Sequence, residues 1–182
     1  MFSREIKANR IKGFLMILAL LILATAFSGV AARPAQAATD PMAVKTAKKN
    51  KISKGKWVKK AKGIRYKKKN GSFVKSQWCM IDGNVYYFNA KGYVQTGSFQ
   101  YKKCYYYADS TGKIYRNKLL KKGGKTYYYG STGARVQARW KKIKGKYYYF
   151  SRTGEMVTNS WVGNRYVGSD GARVSNEVVD GR

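Results

Sequence analysis

From Trp57 to the C-terminus the apolar positions keep strict time. A large apolar residue recurs at Trp57, Trp78, Phe99, Leu119, Trp140 and Trp161, at intervals of 21, 21, 20, 21 and 21 residues. A glycine recurs in step at Gly71, Gly92, Gly112, Gly133, Gly154 and Gly171. Five residues before each stands a tyrosine: Tyr66, Tyr87, Tyr107, Tyr128, Tyr149 and Tyr166. Two registers agreeing over six units define an internal repeat, and the sixth unit, shorter before its glycine, reads as a terminal cap. Within a unit, Trp140-Lys141-Lys142-Ile143 begins a short strand and Lys144-Gly145-Lys146 supplies a turn. An aromatic strand follows, Tyr147-Tyr148-Tyr149-Phe150, and then a second turn, Ser151-Arg152-Thr153-Gly154. Two strands joined by a glycine turn predict a β-hairpin, with tyrosine and phenylalanine on its pleats.

One such hairpin cannot bury its aromatic face alone, but successive hairpins can cover one another. The predicted fold class is therefore all-β, a solenoid of stacked hairpin repeats of about 21 residues spanning 57–182. The tyrosine before each glycine is expected to be a packing residue. Its neighbours, such as Tyr86 and Phe88 or Tyr148 and Phe150, point to the opposite face. That leaves one face for the core and the other for binding.

Ahead of the repeats the pattern changes twice. Arg4, Lys7, Arg10 and Lys12 precede a mainly apolar run from Phe14 to Phe27, and Ala35-Gln36-Ala37 forms an A-x-A exit. Basic region, short apolar run and small-residue exit predict a secretory signal peptide over 1–37. A run of this length is shorter than the roughly 20 residues that span a bilayer, so no membrane span is expected after cleavage. Residues 38–56 read as a polar basic linker. From Lys45 to Lys69 there is no acid at all, which predicts a solvated segment or one lying along a polyanion.

Composition sharpens this picture. The chain of 182 residues holds 38 Lys+Arg against 8 Asp+Glu and no histidine, a formal charge of +30. Removing 1–37 takes away five basic residues and Glu5, leaving +26, so the excess belongs to the exported part. Without histidine there is no Ser-His-Asp triad or histidine-based zinc site, and two cysteines cannot build an all-cysteine one. No metal or cofactor is expected. Cys79 and Cys104 form an even pair in an export context, which admits a disulfide or two inert, half-buried thiols.

The stretch Trp78…Gly83-Asn84-Val85-Tyr86-Tyr87-Phe88-Asn89-Ala90-Lys91-Gly92 resembles the cell-wall-binding repeats of Gram-positive secreted proteins, which include choline-binding and glucan-binding repeats. Trp140 to Thr158 is the best single match. The resemblance implies a hairpin solenoid that attaches a protein to surface polymers outside the cell. In the choline-binding branch, aromatic cages use the first-strand Trp, second-strand aromatics and a Met two residues after the glycine. Carried over, the complete set here is Trp140, Tyr147, Met156 and Trp161, and a poorer one is Trp57, Tyr66 and Trp78. Elsewhere the pattern departs. Seven residues before the glycine stand Ile64, Val85, Tyr105, Thr126, Tyr147 and Asn164, and two after it Phe73, Val94, Ile114, Arg135, Met156 and Arg173.

Aromatic cages hold quaternary ammonium groups by their negative ring faces, whereas a +26 field works against a bare cation. The leading expectation is thus a secreted, wall-associated, non-catalytic protein that binds cell-wall polysaccharide or teichoic-type polymer. A choline-specific module and a single-stranded nucleic-acid binder stand as alternatives, the latter because basic surface with stacking aromatics suits that task. An enzyme is not expected. Glycosidases need two positioned carboxylates, and once the repeats are set aside only the linker remains to house them.

Overall fold

The computed structural model describes residues 42–174. The signal peptide over 1–37, the first residues of the linker and the carboxylates of Asp40, Glu177 and Asp180 lie outside the described residues. The order is a helix, α1 (Met42–Lys49), a short strand, β1 (Lys51–Ile52), and six hairpins. These are β2 (Gly55–Lys60) with β3 (Gly63–Lys68), β4 (Gln77–Ile81) with β5 (Asn84–Phe88), and β6 (Gly97–Tyr101) with β7 (Cys104–Ala108). The other three are β8 (Lys118–Lys122) with β9 (Lys125–Tyr129), β10 (Arg139–Ile143) with β11 (Lys146–Phe150), and β12 (Ser160–Val162) with β13 (Arg165–Val167). Each hairpin is its own antiparallel sheet, and β1 adds a parallel third strand beside β4.

The recurring tyrosine pairs across the hairpin with the anchor: Trp57 with Tyr66, Trp78 with Tyr87, Leu119 with Tyr128, Trp140 with Tyr149 and Trp161 with Tyr166. The third unit corrects the expected anchor. There Tyr107 pairs with Ser98, and Phe99 lies one residue on, opposite Tyr106. Because strand side chains alternate, Phe99 points back toward the preceding hairpin and stacks 5.8 Å from Tyr87. The turn of that hairpin departs too. Lys102 and Lys103 adopt φ of 45° and 62° without a glycine, where the fifth hairpin uses Lys144-Gly145.

Units are joined by backbone, not by side chains alone. The residue two after each glycine donates its N–H to the carbonyl seven before the previous glycine. The bonds run from Val94 to Ile64 (2.8 Å), Ile114 to Val85 (2.9 Å), Arg135 to Tyr105 (2.8 Å), Met156 to Thr126 (2.7 Å) and Arg173 to Tyr147 (2.7 Å). The side chain of that same residue then packs on the next unit's glycine. A Cβ at Gly133 would meet Ile114 at 2.8 Å, and one at Gly171 would meet Met156 at 2.7 Å. These glycines also hold φ of 83° and 77°, so two independent constraints select them.

Both faces of the second hairpin are buried, against the expectation of one core and one binding face. Trp78 and Val85, on the face toward the third hairpin, cluster with Tyr106, Ala108 and Ile114. Cys79, Ile81, Tyr86 and Phe88, from the other face, cluster with Tyr66, Val74 and Val94. In a stack each hairpin has a neighbour on both sides, so aromatics on both faces serve packing.

The linker also needs correcting. Residues 42–49 form a helix whose Ala43, Val44 and Ala47 are buried in the Trp78 cluster. Their small side chains let the helix sit on the hairpin, while Lys45, Lys48 and Lys49 stay exposed. Asn50 fastens the connection, donating from Nδ2 to the Trp78 carbonyl at 3.1 Å.

Burial raises the phenol pKa of Tyr66, Tyr86, Tyr87, Tyr106, Tyr128 and Tyr129 above 10.0, that of Tyr86 to about 12. The Cys79 thiol rises from 9.0 to about 12, again by burial. Below pH 9 these groups are protonated whether the chain is folded or not, and their contribution is complete. Between pH 9 and about 12 the unfolded chain ionises first, so stability falls as pH rises. We expect cooperative alkaline unfolding in that window, followed as loss of circular dichroism. Circular dichroism unchanged across the window would show that ionising these groups does not cost the folded state.

Candidate functional site

Among the described residues, exposed aromatics fall at first-strand anchors of the terminal hairpins and at two of the steps between hairpins. The large exposed apolar residues are Trp57 (38%), Tyr105 (38%), Leu119, Tyr147 (42%) and Trp161 (51%). Tyr105 and Tyr147 occupy the same place in their units, seven before the glycine. At that place the other units carry Ile64, Val85, Thr126 and Asn164.

Trp140 and Tyr147 lie on one face of the fifth hairpin, since their pairs Trp140–Tyr149 and Lys142–Tyr147 are two residues apart. Trp140 is half-buried and meets Tyr149 edge-on at 5.4 Å. Trp161, on the sixth hairpin, meets Tyr166 at 5.4 Å. The Arg165 guanidinium reaches across to Trp140 at 5.7 Å. Around Tyr147 stand Lys142 Nζ and the Arg173 guanidinium, each 5.5 Å from the ring centre. An open cavity of about 500 Å³ adjoins it, lined by Tyr147, Lys146, Asp170, Ala172 and Arg173 among others.

Met156, expected with these residues, packs its side chain on Gly171 of the sixth unit while its backbone is bonded one step back. Its N–H bonds to Thr126, and the residue bonded to Tyr147 is Arg173. Tyr147 is therefore faced by Arg173, while Met156 keeps the place two residues after the glycine that the family resemblance gives it. The second candidate set divides differently. Trp57 is exposed on one side but meets Tyr66 at 4.9 Å and Tyr86 at 4.8 Å. Tyr66 and Trp78, at 3% and 1% exposure, are core residues.

Cys79 and Cys104 are both free thiols. Cys79 is in the cluster between the first two hairpins, and Cys104 packs on the cluster between the second and third. They lie on opposite faces of the second hairpin, so of the two alternatives the free thiols are the one found.

The sequence reading did not single out Arg135. Its guanidinium sits 4.2 Å from the Tyr105 ring centre and 5.3 Å from that of Tyr127. Its Nε, packed on Gly154, is a buried donor without a partner among the described residues. The nearby acids are taken by lysines. Glu155 meets Lys125 at 2.7 Å and Asp170 meets Lys146 at 3.3 Å. Hydrogen bonding to Lys125 lowers the Glu155 pKa, and the Ala172 N–H does most to lower that of Asp170. Both pairs are largely exposed and add little stability. Among the described residues there is no group of three or more potential metal ligands, and no helix long and apolar enough to cross a membrane.

Comparison with known proteins agrees with this architecture. Residues 135–172 and 155–182 match the choline-binding repeat, and residues 76–94 match the cell wall binding repeat. A search of curated protein sequences finds no match. Among solved structures, the modular autolysin LytC of Streptococcus pneumoniae, in complex with a synthetic peptidoglycan ligand, is 28% identical with a TM-score of 0.59, covering 70% of this chain and 30% of its own. Choline binding protein F of the same organism is 30% identical with a TM-score of 0.62, covering 70% of this chain and 43% of that one. The choline-binding domain of CbpL from S. pneumoniae is 31% identical with a TM-score of 0.55, covering 66% and 65%. The repeats of this chain belong to the cell-wall-binding repeat family, whose arrays of this kind are binding modules. The chain spans about a third of LytC and under half of choline binding protein F.

Proposed function

We propose that the chain is an exported, non-catalytic protein that attaches to cell-wall polymers, glycan or anionic teichoic-type polymer, in a Gram-positive-type envelope. The observation that carries this reading is the row of exposed aromatics at the steps, where Tyr105 and Tyr147 each have cationic side chains within 6 Å. Sugar rings stack on such aromatic faces, while the surrounding lysines and arginines displace counterions from a polyanion. Residues 1–37 supply the export signal, and cleavage follows Ala37. Catalysis is not assigned to the array. Glu155 and Asp170 are each engaged with a lysine and occupy separate units instead of flanking one bond.

A choline-specific module is the second reading, favoured by the shared face of Trp140 and Tyr147 on the fifth hairpin. Co-sedimentation with purified envelope separates the two. Binding that disappears after acid extraction of teichoic polymers is the expected result. Binding that survives extraction but is competed by free choline selects the second reading, and no binding to any wall fraction removes both.

A further inference from the structure

We infer that the steps Tyr105–Arg135 and Tyr147–Arg173 are two sites for a phosphate group of a polyol- or sugar-phosphate polymer. This rests on the wall-polymer reading above and names the ligand chemistry of its exposed steps.

The same hydrogen bond builds all five steps, so their side-chain pairs can be compared directly. Three pairs carry no charge: Ile64 with Val94, Val85 with Ile114, and Thr126 with Met156. The other two pair tyrosine with arginine. Tyrosine at this register never occurs without arginine opposite, and arginine never without tyrosine. The two residues therefore act as a unit.

The unit has a defined chemistry. The guanidinium lies over the tyrosine ring, at 4.2 Å for Arg135 and 5.5 Å for Arg173, held by a backbone bond that fixes both residues. A ring face already engaged by the chain's own cation repels a quaternary ammonium ligand instead of capturing it. A guanidinium stacked on a ring keeps its in-plane donors available to phosphate, and with Nε of Arg135 buried against Gly154 the terminal Nη donors are the ones left for that role. Further positive charge surrounds the second step in Lys142 and Arg165. The one carboxylate at each step is matched by Lys125 or Lys146, so the arginine is left as surplus charge. The exposed remainder of Tyr105 or Tyr147 offers a surface for the polyol or sugar carbon chain beside the phosphate.

The test uses the chain from Ala38 onward, which contains every described residue, with poly(glycerol phosphate), neutral dextran and choline chloride as probes. Titration calorimetry is expected to show binding to poly(glycerol phosphate) and no heat with choline. Arg135→Met with Arg173→Met should weaken that binding about tenfold per site and flatten its salt slope by roughly 1.4. Lys59→Met with Lys91→Met removes the same charge from exposed positions and should weaken it less than about threefold. Arg135→Lys with Arg173→Lys guards against misfolding of the methionine variant. It keeps the salt slope but loses part of the affinity, because lysine lacks the planar fork. Three results would overturn the inference: equal losses in the arginine and lysine double variants, choline binding by the unaltered chain, or envelope binding without any affinity for poly(glycerol phosphate). The last would leave the wall-polymer reading intact, whereas failure to bind any envelope fraction would remove both.

Discussion

Trp78→Ala is expected to cost about 3–5 kcal/mol, the range for deleting a fully buried aromatic side chain. The indole is 1% exposed and lies among Tyr87 (4.9 Å), Tyr106 (4.8 Å), Tyr101 (5.5 Å) and Phe99 (6.0 Å). Ala43, Val44 and Ala47 of α1 join the same cluster. Its loss loosens three elements at once: the helix, the second hairpin and the third. In a repeat array stability is close to a sum of unit and interface terms, so the break should be local. Urea unfolding followed by circular dichroism should become biphasic, with the N-terminal part melting first. Trp78→Phe should cost much less, because the indole N–H makes no hydrogen bond that would be lost. Trp161→Ala, at an exposed ring, should stay within about 0.5 kcal/mol. A loss below about 1 kcal/mol for Trp78→Ala would mean that the cluster closes around the gap.

Polymer binding should weaken by about 300-fold between 50 and 200 mM salt if six phosphates are contacted at once. Without residues 1–37 the chain has 33 basic residues (38 less 5) against 7 acidic ones (8 less 1), and only two ion pairs form among the described residues. Most of the basic charge is thus available to exchange counterions from a polyanion. Surface plasmon resonance on immobilised anionic wall polymer, at several salt concentrations, measures the slope directly. A flat salt dependence with undiminished affinity would move the energy to sugar stacking on Tyr105, Tyr147 and Trp161 and leave the lysines as a solvated surface.

The repeat was legible because its signals are local. A tyrosine five before a glycine fixes which residues cross-pair, and the backbone follows from that spacing. Legibility failed where two neighbours were both plausible. In the third unit Phe99 looked like the anchor by size, yet the turn at Lys102-Lys103 sets the register and puts Ser98 opposite Tyr107. It failed again in the 38–56 segment. Three small apolar side chains among lysines carry little signal until there is an aromatic surface for them to cover. The candidate cage was partly legible. Trp140 and Tyr147 do share a face, but placing Met156 required knowing which carbonyl its N–H would reach.

By itself the sequence determined the hairpin unit, its number, its aromatic character and the charge of the whole, since these depend on composition and short-range spacing. Only the tertiary structure decided which aromatics are free. Stacking buries both faces of the second hairpin yet leaves Trp57, Leu119 and Trp161 exposed in others, so exposure depends on the neighbouring units and not on residue type. Burial of Trp78 beneath α1, exposure of Trp161 and the seating of Arg135 and Arg173 over tyrosine rings all follow from contacts between separate units. Such contacts link residues far apart in the chain, and no local pattern records them.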